Sequence, residues 1–265
     1  MSERSVKAVE ESYKELAPIS DRERSEMYRM SLIVEFIEKA AGGYSGKRVL
    51  DLGSSFGMHL IAAKKLDATD AVGLDKFIFP EAGANMYGLT QDEIMFLGDA
   101  WARNGIDIRR HDLSDPIPFP DGSFDLVVCN AVIEHVHGIH SHIFSEARRV
   151  LKPGGMFVFT TPNLASLLKR IRFIIGRSPL WDFRDYFNAG RDFTGHIREF
   201  TVQECRDMLT LSSFDVIRIM TRPSYFRWSW IRSPRKAQNI LFQSLSRLWP
   251  TWGDCIFAVG RKSNS

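Results

Sequence analysis

Several short segments carry residues whose types and spacing suit the binding and transformation of a small molecule. In Asp51-Leu-Gly53-Ser54-Ser55-Phe56-Gly57, two glycines stand among small polar residues directly after the apolar run Arg48 to Leu52. Glycine lets a backbone take φ > 0 and come close to a ligand, and a helix starting there offers unpaired N–H groups to it. Asp75 closes the next apolar run, 24 residues after Asp51, where a carboxylate can accept from both hydroxyls of a ribose. Asp112 and Leu113 follow the third run, an acid for an adenine amino group and an apolar side chain for its ring. Asn130 ends the fourth run and leads into Ala-Val-Ile-Glu134-His135-Val136. Each residue has an ordinary alternative: a tight turn without a ligand, a helix cap, or a solvated acid.

Histidine titrates near neutral pH and can take a proton from an attacking hydroxyl. His135, directly after the fourth run, is the first candidate, and His196, in a loop before a helix start, is the second. A histidine bonded to backbone, or pinning a loop, would look the same in sequence. His137, His140 and His142 complete a histidine run that, with Glu134, could hold a divalent ion. The spacing matches no standard site and Gly138 interrupts any helical face, so no metal is expected.

These residues need a scaffold that brings strand ends together. Apolar runs at 48–52, 71–74, 106–110, 124–129 and 156–160 alternate with helical segments at 58–66, 90–104 and 141–151. The box Thr90-Gln-Asp-Glu93 opens the second of these, and Lys152-Pro-Gly-Gly155 is read as the stop of the third. Two further boxes, Ser20-Asp-Arg-Glu23 and Thr201-Val-Gln-Glu204, start helices to about Ala41 and Leu211, and strands are expected at 214–220 and 255–259. Apolar strands without period-two alternation, separated by helices, indicate an α/β fold: a doubly wound, mostly parallel seven-stranded sheet with helical insertions. In such a sheet the ligand lies beyond the carboxyl ends of the strands.

The strings Val49-Leu-Asp-Leu-Gly-Ser-Ser-Phe-Gly57, Val72-Gly-Leu-Asp75, Phe124-Asp-Leu-Val-Val-Cys-Asn-Ala-Val-Ile-Glu-His-Val136 and Arg149-Val-Leu-Lys-Pro-Gly-Gly155 closely resemble class I S-adenosylmethionine-dependent methyltransferases, in the branch with small-molecule acceptors and a Rossmann-like fold. Gly195-His-Ile-Arg-Glu-Phe-Thr201 resembles the same branch. The resemblance implies S-adenosylmethionine as cofactor. Asp51, Gly53, Ser55 and Gly57, with Ser54 between them, would surround its methionine part. Asp75 would hold the ribose, Asp112 and Leu113 the adenine, and Asn130 would lie near the sulfonium. Ser55 stands where the family's usual middle glycine would be; if φ > 0 is needed there, serine adds strain, and its hydroxyl could contact the cofactor carboxylate instead. A nicotinamide dehydrogenase is the rival reading, but its Gly-x-Gly-x-x-Gly spacing is absent.

The expected organisation is a polar N-terminal arm over 1–19, with room for a short helix, and one methyltransferase domain over 20–265. Acceptor-side insertions are expected at about 77–89, 164–198 and 222–252. The 265 residues, 44 % hydrophobic and 25 % charged, make an ordinary globular composition. The first 15 residues have no apolar core, and Cys129, Cys205 and Cys255 are scattered, so a reducing cytoplasm is expected. From Val216 onward nine Lys or Arg face one acid, Asp254, and four of the six tryptophans (Trp228, Trp230, Trp249, Trp252) fall in the same part. That stretch could touch a bilayer surface, pack on its own sheet, or meet a partner subunit. The expected activity is methyl transfer to a small-molecule hydroxyl of a glycan or secondary metabolite. Nucleic acid is not expected as a partner. The alternatives are a cofactor-binding regulatory or scaffold protein without turnover, and a nucleic-acid methyltransferase.

Overall fold

Strands that are apolar at nearly every position need cover on both faces. In the computed structural model, which describes residues 2–17, 27–76, 88–180, 182–189, 195–224 and 249–263, they have it. The sheet is built from β1 (Arg48–Leu52), β2 (Asp70–Asp75), β3 (Asp107–Arg110), β4 (Phe124–Asn130), β5 (Leu151–Pro162), β6 (Phe214–Arg222) and β7 (Cys255–Lys262). Its order is β3-β2-β1-β4-β5-β7-β6. β7 alone runs antiparallel to its neighbours. The chain moves outward from β1 to β3 and then crosses back to β4, so the switch point lies between β1 and β4, where a crevice opens past the strand ends.

Eight helices are described: α1 (Glu3–Glu15), α2 (Met27–Ala40), α3 (Met58–Lys65), α4 (Gln91–Asn104), α5 (His140–Val150), α6 (Leu167–Ile174), α7 (Phe183–Ala189) and α8 (Val202–Leu211). Val49, Leu126, Val128, Val158 and Val259 point to one face of the sheet, packed with α1 to α4. Leu50, Leu74, Val127, Phe157 and Phe159 point to the other, packed with α5 and α8. The expected boxes at Thr90–Glu93 and Thr201–Glu204 are present, with side chain and backbone bonded reciprocally at both. All three cysteines are buried and unpaired, and burial pushes each thiol up. Among the described residues no helix is long and apolar enough to cross a membrane.

Two expectations are corrected. Lys152-Pro-Gly-Gly155 is not a helix stop followed by a short strand; it lies within β5, which begins at Leu151. Phe124 pairs with Leu151, but Leu126 pairs with Met156, so these residues bulge out of the ladder. Pro153 lacks a ladder N–H, Gly154 takes φ 75°, and Lys152 Nζ donates to both oxygens of Asp125 at 2.8 Å. The 1–19 segment holds the helix it had room for, and that helix is packed on the domain rather than carried on a loose arm. α1 is capped by Ser2 and buries Ser5, Ala8, Val9 and Ser12, with Leu16 beyond it, against α2 and α3.

The box at Ser20–Glu23, residues 77–87 of the expected 77–89 insertion, Trp181, and 225–248 with Trp228 and Trp230 lie outside the described residues. Val9 supplies a check on the N-terminal helix. Val9→Ala should lower the unfolding free energy by about 2 kcal/mol in a urea titration, and an unchanged midpoint would show α1 detached from the domain.

Candidate active site

The turn after β1 is held in left-handed backbone: φ is 74° at Gly53, 48° at Ser55 and 87° at Gly57. Ser55 therefore adopts the conformation that the family's glycine would, and carries the strain expected of it. The turn is tied to the end of β2: the Gly53 and Ser54 N–H groups donate to Leu74 O at 2.8 and 3.2 Å, and Ser55 N–H donates to Asp75 Oδ2 at 3.0 Å. Ser54 is turned into the fold. Its Oγ lies where a Cβ on Gly73 would come within 2.4 Å, and it is buried without a hydrogen bond among the described residues. It does not present a side-chain group to the crevice.

Asp51 anchors the same turn from beneath. His59 Nδ1–H donates to Asp51 Oδ2 at 2.9 Å, and Tyr44 OH donates to His59 Nε2 at 2.9 Å. All three side chains are buried, and burial followed by the Asp51 charge pushes the Tyr44 phenol well up. Asp51 Oδ1 is buried without a donor among the described residues. An acceptor so placed needs a donor from elsewhere, and the ammonium of a methionine moiety is one. The residues present thus fit S-adenosylmethionine: Asp51 and the backbone of Gly53–Gly57 for the methionine part and Asp75 for the ribose.

On the outer side, Asp112 is engaged by its neighbours. Lys76 Nζ donates to Oδ2, while Ser114 N–H and Oγ–H donate to Oδ1 at 3.0 and 2.8 Å. The Lys76 ammonium first, and Ser114 with it, hold the carboxyl at about 2. Leu113 beside it packs against the core as a half-buried side chain. On the inner side, Thr160 Oγ–H donates to Asn130 Oδ1 at 2.6 Å, and Ala131 N–H donates to Thr160 O at 3.2 Å and to Thr160 Oγ1 at 3.1 Å. Ala131 is held at φ 54°.

The next residues flank the candidate site at the end of β4. The loop after 194 docks on the end of β4: Ile197 N–H donates to Glu134 O at 2.8 Å, and His135 Nδ1–H donates to Gly195 O at 3.2 Å. His135 and His196 meet edge to face, ring centres 5.1 Å apart. His196 Nδ1–H donates to Glu199 Oε1 at 2.8 Å, and Lys169 pairs with Glu199 Oε2. Although burial raises it, the bonds from His196 and Lys169 leave the Glu199 carboxyl below its ordinary value. Glu134 is fully buried and both its carboxyl oxygens lack a hydrogen bond among the described residues. Burial pushes it up to about 7 against the lowering pull of its own backbone N–H, His196 and Arg29.

Of the histidine run, His140 Nε2–H goes to Ile133 O at 2.9 Å and His142 Nε2–H to Asp115 O at 3.2 Å, so the run does not converge. Glu134, His135 and His196 are the one group of three among the described residues whose ligand-type atoms all lie within 4.8 Å of one another. The sequence marks Glu134 only as a member of that run, and its local signal for Glu199 is a place three residues after His196; nothing local points from Lys169 to Glu199.

A glycine turn facing an acid at the end of β2, under a seven-stranded sheet whose last strand is antiparallel, defines the Rossmann-like methyltransferase fold. Residues 50–159 match the family model described as methyltransferase domain. The chain is 32 % identical over 152 residues to a probable S-adenosylmethionine-dependent methyltransferase of Mycolicibacterium smegmatis, covering 57 % of this chain and 51 % of that one. It is 30 % identical over 132 residues to a ubiquinone biosynthesis O-methyltransferase of Sodalis glossinidius, covering 50 % and 48 %. The chain thus spans about half the length of these curated relatives. An S-adenosylmethionine-dependent methyltransferase of Mesorhizobium loti shares the fold, with a TM-score of 0.54 at 20 % identity over 82 % of this chain and 92 % of that one. Residues 50–159, the segment the family model matches, are a methyltransferase domain similar to the class I S-adenosylmethionine-dependent enzymes, whose cofactor is S-adenosylmethionine.

Two measurements probe this geometry. Asp75→Ala should weaken S-adenosylmethionine binding at least about tenfold by calorimetry, and Asp75→Asn, which still accepts from Ser55, should lose less. Undiminished binding by the alanine variant would remove Asp75 from the ribose site. Glu134 supplies the second. The folded protein holds its proton to higher pH than the unfolded chain, so stability is lost as pH rises from about 4.5 to about 7. Glu134→Gln should therefore gain on the wild type by up to about 3 kcal/mol between about pH 5 and pH 8. Parallel stability curves would show an unshifted carboxyl.

Proposed function

We propose that the protein methylates a hydroxyl group of a small-molecule acceptor, a glycan or a secondary metabolite, with His196 as general base. The observation that carries this reading is the chain Lys169–Glu199–His196, with Nδ1 of the imidazole bonded to a carboxylate at 2.8 Å. When bound, S-adenosylmethionine supplies an electrophilic methyl group, and its transfer to oxygen leaves S-adenosylhomocysteine. The work left to the protein is to align the acceptor, exclude water and remove one proton. With its proton on Nδ1, His196 has Nε2 as the basic nitrogen, and the Glu199 carboxylate stabilises the imidazolium formed when Nε2 takes the acceptor proton. Glu199 is a positioning residue in this reading. His135, oriented by the Gly195 carbonyl, lines the acceptor pocket. The preference between the two histidines is thus the reverse of the one drawn from sequence order, because His196 Nδ1 is bonded to the Glu199 carboxylate and His135 Nδ1 to the Gly195 carbonyl. The distant O-methyltransferase relatives support oxygen as the acceptor atom.

The test is S-adenosylhomocysteine release across a panel of hydroxylated acceptors. His196→Ala should lower kcat by about 10²- to 10³-fold with cofactor affinity unchanged. Glu199→Gln should lower kcat less and leave KM near the wild-type value. Cofactor binding without release on any acceptor would favour a regulatory or scaffold role. Salt-steep binding of RNA or DNA would favour a nucleic-acid acceptor. Turnover that a chelator abolishes would move His135, His196 and Glu134 to a metal role.

A further inference from the structure

The insertion after β5, expected to wall an acceptor pocket, turns its apolar side chains outward. None of the described residues from 167 to 189 is buried. Phe173 is 72 % and Ile174 81 % exposed, and Ile175, Leu180, Phe183 and Phe187 are exposed with them. Phe183 and Phe187 contact each other, ring centres 5.7 Å apart, rather than the core. Soluble domains rarely leave so many large apolar side chains together in water unless the patch meets something.

The charges beside this ridge indicate what it meets. Over 164–189, Arg170, Arg172, Arg177 and Arg184 stand against two acids, Asp182 and Asp185, both on the α7 side, while Lys169 is paired with Glu199. Two copies joined through α6, which holds no acid, would set cation against cation. A negatively charged surface is complementary to it. Basic side chains next to an apolar edge are the arrangement that seats a helix in a bilayer interface, with the cations at the headgroups and the apolar edge below them.

The foot of the arm is fixed to the domain. Leu167 N–H donates to Trp252 O at 3.1 Å, and Asn163 Nδ2 donates to Thr251 O and Gly253 O at 2.8 and 2.7 Å. Trp249, 58 % exposed, stacks on Trp252 with ring centres 5.9 Å apart, which puts an interfacial type of side chain beside the ridge. We propose that the α6–α7 arm, led by Phe173, Ile174 and Ile175, docks this protein on an anionic phospholipid bilayer. Lys169, on the same helix, pairs with Glu199, so docking brings the acceptor histidines close to the membrane surface. The proposal stands apart from the choice of acceptor.

Co-sedimentation with vesicles tests it, using phosphatidylcholine alone and phosphatidylcholine with about 30 % phosphatidylglycerol. The wild-type chain should pellet with the anionic vesicles and not with the neutral ones. Raising NaCl from about 0.1 to 0.5 M should release most of it. The triple variant Phe173→Ser, Ile174→Ser, Phe183→Ser should need at least about tenfold more lipid for half-maximal pelleting, with S-adenosylmethionine affinity unchanged as the check on folding. If that variant does not bind cofactor, Arg172→Gln with Arg177→Gln decides, and should need about threefold more anionic lipid or above. The proposal is overturned if the wild type ignores anionic vesicles, or if folded variants pellet as it does. It is equally overturned if the ridge variant abolishes a concentration-dependent dimer that does not bind vesicles. None of these outcomes bears on cofactor binding, which is measured separately.

Discussion

Val132 Cγ2 stands 2.4 Å from the place a Cβ on residue 53 would occupy, so glycine at 53 is what lets the turns after β1 and β4 meet. Those strands are neighbours at the switch point of the sheet, and the turns are the two walls of the crevice. Their contact couples the two walls. Beside it, Ala131 is kept in a left-handed conformation by two hydrogen bonds to Thr160, a cost borne where the chain must turn sharply out of β4. Beyond that turn the chain delivers Glu134 into the interior and His135 to the crevice within two residues.

The buried polar groups divide between holding the walls and leaving them responsive. Tyr44, His59 and Asp51 form a closed chain under the first turn, bonded at each step. Glu134 has no such partner among the described residues and sits close to His196, with its proton affinity moved toward neutrality. A carboxyl in that state is costly to ionise and sensitive to any cation or donor that arrives, which is why perturbed acids concentrate at functional sites.

Much of the sheet was legible because its signals are local. Apolar runs ending in Gly or Asp mark β1, β2 and β4, and the boxes at Thr90 and Thr201 need only residues three apart. The candidate cofactor residues could be singled out for the same reason: each lies at the end of a recognisable strand. The inward turn of the Ser54 side chain was not legible, because a residue's place in a turn does not reveal which way its side chain points, and Gly73, the residue that makes room for it, lies in another strand. The Lys169–Glu199 pair and the contact of His135 with Gly195 join positions 30 and 60 residues apart, beyond any local pattern. α1 was underestimated because the residues it buries are mostly small, Ser5, Ala8, Val9 and Ser12, and small residues draw no apolar stripe.

The position of β7 has a consequence for how the chain is made. It is the last strand in sequence, yet it lies between β5 and β6. As the polypeptide emerges, β6 appears well before the strand that will join it to the sheet. Until Cys255–Lys262 leaves the ribosome, β5 and β6 each present an unpaired edge, the kind of surface that invites association between nascent chains. Completion of the sheet therefore waits on the final strand, and the early elements must stay soluble through that interval without it.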